Sequence, residues 1–149
     1  MTYHAITVTL ENINGITAVK DKYGIQTQSL TFNATVSGKR QYAVSLRGEP
    51  RLENGMVVTA VLRDPENWQT LIAWFNHSSG QICGVEPPLQ PFAVWLFTVL
   101  IGIMFFFKAV SANTGTGFRA VLLLAVVGIN VWSLLSWIKS VRVYRLLRP

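Results

Sequence analysis

The chain has little of what most catalytic and metal sites are built from. Its single cysteine, Cys83, excludes a disulfide framework within the chain. That thiol and two histidines, His4 and His77, are too few ligands for a structural zinc site. No glycine loop has the spacing that cradles a phosphate. Charge is scarce too, at 13% of residues against roughly 25% in ordinary domains. With 50% hydrophobic residues, the chain also lacks the polar composition of a disordered segment. No acidic residue follows Glu86. The last 63 positions therefore cannot supply a carboxylate to an acid/base site, a metal or a proton relay.

That missing charge divides the chain. The acids are Glu11, Asp21, Glu49, Glu53, Asp64, Glu66 and Glu86, and seven bases share their stretch: Lys20, Lys22, Lys39, Arg40, Arg47, Arg51 and Arg63. The first segment is thus neutral. The net charge of +6 belongs to Lys108, Arg119, Lys139, Arg142, Arg145 and Arg148. A neutral first domain argues against a nucleic-acid module, which needs a basic face.

Two uncharged apolar runs stand between those bases, from Pro87 to Phe107 and from Ala120 to Ile138. Each matches the roughly 20 residues a helix needs to cross hydrocarbon. Both lie far from the N-terminus with no basic-then-apolar leader ahead, so neither reads as a signal peptide. The sequence therefore predicts a first domain over 1–86, a proline-rich link over 87–91 and a first membrane helix over 92–110. A short loop over 111–117, a second membrane helix over 118–138 and a basic tail over 139–149 complete it. The tail carries more bases than the loop, which places both chain ends in the cytoplasm by the positive-inside rule. Size and compactness suggest a bacterial inner membrane.

Small residues predict how the helices meet. Thr98 and Gly102 form one small-xxx-small pair, and Ala125, Gly128 and Ser136 share a face on the second helix. Asn130 is the most polar residue deep in either run and lies off that face. Its amide needs a partner, from the first helix or from another subunit. In the tail, Lys139, Arg142, Arg145 and Arg148 recur at every third position. They read as a topology anchor reaching lipid headgroups.

The first domain shows short β patterns and turn signals. Strands are predicted over Tyr3–Leu10, Ile16–Lys20, Gln26–Val36, Arg40–Arg47, Met56–Arg63, Trp68–Phe75 and Gln81–Val85. Asn14-Gly15 and Asn54-Gly55 read as tight turns. The fold class expected is an all-β small barrel, OB- or SH3-like, followed by an α-helical transmembrane hairpin. Barrel-like strands followed by Val85-Glu86-Pro87 give the first domain a loose architectural similarity to the soluble domain of NfeD-type membrane proteins. Those carry their membrane helices before the barrel, so the resemblance covers the first domain alone and transfers no residue or activity.

The chemistry that remains is sparse. His77, Ser78 and Ser79 are neighbours in a turn, and neighbours rarely aim at one another. Asp64 and Glu66 read as a solvated turn. No catalytic residue, cofactor, metal or small-molecule substrate is expected. Trp68 and Trp74 fall on one face of a strand that is apolar on both sides. Either both faces are buried, or this pair lines a partner groove. The function expected is that of a non-enzymatic membrane accessory or scaffold protein. Its partners are the bilayer and another membrane-associated protein, or itself. A homo-oligomeric pore and a membrane-bound immunity or inhibitory protein are the alternatives.

Overall fold

A computed structural model describes residues 2–23, 26–111 and 116–147. Six strands come first: β1 (His4–Lys20), β2 (Thr27–Val36), β3 (Lys39–Arg47), β4 (Met56–Leu62), β5 (Leu71–Asn76) and β6 (Ile82–Cys83). Two helices follow, α1 (Leu89–Ser111) and α2 (Thr116–Leu147). The strands form one antiparallel sheet in the order β3-β2-β1-β4-β5-β6. It curls until β3 meets β5 and the short 3-10 turn before β5, making a half-barrel. The chain divides into two compact units, Met1–Val85 with Val143–Pro149, and Glu86–Arg142.

β1 replaces two predicted strands. Asn14-Gly15 does not reverse the chain; it sits in a bulge within one 17-residue strand. Asn12 and Gly15 take positive φ there, 49° and 62°. The same turn chemistry serves a bulge because the partners hold it from the side. Arg40 donates to the Asn12 carbonyl at 2.7 Å and to the Asn14 side chain. Asn54 Oδ1 accepts the Ile13 N–H at 2.6 Å. The early half of β1 pairs with β4 and the late half with β2.

The concave face holds the main core, including Leu10, Phe32, Val44, Leu46, Val58, Trp68 and Trp74. Phe32 and Trp74 lie 5.6 Å apart between ring centres. Around Val61 and Ala73 the β4–β5 pair is also covered on its other face. There Val61 and Ala73 pack with Ile72, Phe75 and Ile82 against Val143 and Leu147 from the last turns of α2. Two-sided burial explains why β5 lacks a polar face.

The predicted strand from Trp68 starts three residues late. Asp64 accepts the Glu66 N–H, Asn67 caps the turn by accepting from Gln69, and Thr70 donates to the Asn67 carbonyl. Turn chemistry thus runs to Thr70, and Trp68 enters the core from a 3-10 turn. A register shift opposite Leu71 and Ala73 then breaks strict alternation.

The three prolines do not form a separate extended link. α1 begins at Leu89 and takes Pro91 into its first turn, where a missing N–H costs nothing. Gln90 N–H bonds the Pro87 carbonyl at 3.0 Å. α2 likewise runs past the predicted end of its apolar stretch to Leu147. Most of the predicted 111–117 loop lies outside the described residues.

Candidate functional site

The second unit presents the most distinctive surface. α1 and α2 pack antiparallel, and polar side chains meet in a seam between them. Thr98 Oγ1 lies 3.3 Å from Asn130 Oδ1 and 3.2 Å from Ser133 Oγ. It also donates to the Trp95 carbonyl at 2.8 Å. Asn130 Nδ2 donates to the Val126 carbonyl at 2.9 Å. Gly102 makes room for this seam: a Cβ there would stand 2.9 Å from Val126 Cγ1 and 3.2 Å from Asn130 Nδ2. Below the seam, Phe92, Trp95 and Trp137 cluster, with the two indoles stacked at 5.8 Å.

Thr98 and Gly102 lie where α1 meets α2. The partner face on α2 differs from the expected one. Gly128 has open space around it, and Ala125 and Ser136 are exposed. The contact runs instead through Val126, Asn130, Ser133 and Trp137. Hydrogen-bonding demand outweighed small size here. An amide without a partner in an apolar setting costs more than close backbone approach gains. Asn130 bonds across to the first helix, which gives its amide a partner within the chain.

The outer surface of the pair is apolar. Only 11% of the apolar window of α1 and 6% of that of α2 is buried within the chain. Phe97, Leu100, Met104 and Phe107 on α1, and Val121, Leu124 and Trp132 on α2, all face outward. Each helix is long and apolar enough to cross a membrane. Core helices of soluble proteins bury an apolar stripe, whereas these helices leave most of their apolar windows exposed.

Trp68 and Trp74 are 3% and 0% exposed. They line no groove, and the partner-binding role expected of them is corrected: they are core residues of the curled sheet. Lys139, Arg142 and Arg145 are exposed on α2, and Arg148 lies outside the described residues. The apolar residues among these bases do something the sequence reading missed. Val143 and Leu147, four apart, are buried on the sheet. That i, i+4 apolar pair was the available signal, and the charge pattern around it hid it. Ser140 was missed too; its hydroxyl donates to the Glu86 carbonyl at 2.6 Å.

The reactive groups are not gathered. Cys83 is buried, and burial pushes its thiol above the ordinary value, with the Trp74 side chain pulling weakly the other way. The buried Trp74 indole N–H has no regular hydrogen-bond partner, so its approach to the sulfur falls short of one. His77 bonds Thr59 Oγ1 at 2.8 Å, and Thr59 meets Thr7 at 2.9 Å, on the exposed sheet face. The Asp64 carboxylate caps its own turn. Among the described residues no three His, Cys, Asp or Glu side chains could hold a metal. Comparison with family models, curated proteins and solved structures finds no match to this chain.

Proposed function

We propose that the chain is a non-enzymatic integral membrane accessory protein. Its helix pair sits in the bilayer, and its β unit presents a docking surface to other proteins in the cytoplasm. One observation supports this above the rest: the helices turn polar groups toward each other and apolar groups outward. Bilayer hydrocarbon solvates that outer surface, and water does not. The stacked Trp95 and Trp137 suit the headgroup boundary, where indoles concentrate. Lys139, Arg142, Arg145 and Arg148 against Lys108 and Arg119 favour cytoplasmic ends in a bacterial inner membrane. The curl of the sheet is compatible with a small barrel of the OB or SH3 kind.

Orientation is tested by thiol labelling. Cys83 is buried and unsuited to it. Ser78 is exposed in the β5–β6 turn. In a Cys83→Ala background, Ser78→Cys is expected to resist an impermeant maleimide in spheroplasts and to react once they are permeabilised. Labelling of intact spheroplasts overturns the orientation. The docking role is tested by purification from membranes in mild detergent, where a stoichiometric second protein is expected. A discrete oligomer of this chain alone would replace docking with the pore reading.

A further inference from the structure

β1 outlasts one of its neighbours. Its pairing with β4 ends at Leu10 opposite Met56, while its pairing with β2 continues to Lys20 opposite Thr27. The turn before β4 closes the gap only at its near end, where Asn54 Oδ1 accepts from the Ile13 N–H and the Gly55 N–H donates to the Leu10 carbonyl. Beyond the Gly15 bulge, Ile16–Lys20 has no strand on that side among the described residues. Five extended residues span about 17 Å. Alternate residues of such a strand direct both N–H and C=O toward the unpaired side. Ile16 and Val19 stand 54% and 48% exposed there, with β-branched Thr17 between them. This edge has the backbone groups and side chains that take up an added strand.

Charge indicates the kind of strand. Lys20 and Lys22 are exposed at the far end of the edge, and Arg47 pairs with Ser29, which in turn pairs with Val19. Asp21 is the acid among them. Lys20 and Lys22 against Asp21 leave this end of the edge with a net positive charge. A second copy pairing antiparallel here would set Lys20 opposite Ile16, so neither copy would bring an acid to the lysines of the other. We propose that Ile16–Lys20 binds an extended acidic segment of a partner protein by strand addition. The proposal rests on the docking reading and names the chemistry of the docked partner.

The test uses the full chain in lipid nanodiscs. The probes are a labelled seven-residue peptide alternating glutamate with valine, and the same peptide with lysine in place of glutamate. The glutamate peptide is expected to bind at least about tenfold more tightly, weakening with salt. Hydrogen exchange should slow at alternate amides within Ile16–Lys20. Lys20→Glu with Lys22→Glu, both on the surface, should reverse the preference. Equal binding of the two peptides, no binding of the glutamate peptide, or protection elsewhere on the sheet overturns the proposal. So does a peptide-free dimer that protects these same amides, since a second copy is then the occupant. If a membrane partner co-purifies in stoichiometric amount and these amides stay unprotected, docking stands and this edge is not its site.

Discussion

Gly84 shows how much one missing Cβ can decide. Its φ is +92°, and a Cβ there would lie 2.2 Å from the Ile72 carbonyl oxygen and 2.7 Å from Ala73 Cα. Both contacts are with backbone, which cannot step aside. Gly84→Ala is expected to cost the sheet unit more than about 2 kcal/mol, from strain and overpacking together. Chemical denaturation followed by Trp fluorescence measures it. Gly55→Ala, which meets nothing within 4 Å, should cost less. The neighbouring Cys83 gives a pH dependence. Burial disfavours the thiolate and raises the folded thiol above its ordinary value. The unfolded chain then loses that proton first, so stability is held below the ordinary thiol value and declines as pH rises past it. Cys83→Ala should remove that part of the alkaline decline in a denaturation series over pH.

At the scale of elements, α2 has two different environments along its length. Its central turns meet α1 through the polar seam, and its last turns cover the sheet through Val143 and Leu147. Val143→Asp would place a carboxylate among Val61, Ala73 and Ile72, and is expected to cost about 3 kcal/mol or more. Leu146→Asp, on the exposed side at 38%, should cost far less. Hydrogen exchange of β4 and β5 distinguishes the two. In the helix pair, Gly102→Val must push Val126 and Asn130 away. Spin labels at Phe97 and Leu135 should then report a longer, broader separation than in the parent chain.

On the whole molecule, the division of charge corresponds to a division of surface. The sheet unit buries Phe32, Trp68 and Trp74 and carries balanced charge, whereas the helix pair exposes most of its large apolar side chains. Such a chain should stay dispersed only in detergent or lipid. Transfer to detergent-free buffer is expected to precipitate it, as ultracentrifugation would measure. A chain ending before Ala93 would keep the main core but lose Val143 and Leu147 from the second face. It should expose Ile72, Phe75 and Ile82 and bind a hydrophobic dye more strongly than the full chain.

Composition and periodicity by themselves determined the two apolar helices, the β character of the first unit and the apolar nature of both faces of β5. These are local properties: run length, alternation and turn residues act within a few positions. The tertiary structure decided which residues met. Asn14-Gly15 became a bulge because Arg40 and Asn54, distant in sequence, hold it. Trp68 and Trp74 became core because the sheet curls over them. The helix seam passes through Asn130 and Ser133 because their hydrogen bonds needed partners, which residue size could not reveal. Val143 and Leu147 cover the sheet because strands β4 and β5 had a second apolar face to bury, and no local pattern states where its cover comes from.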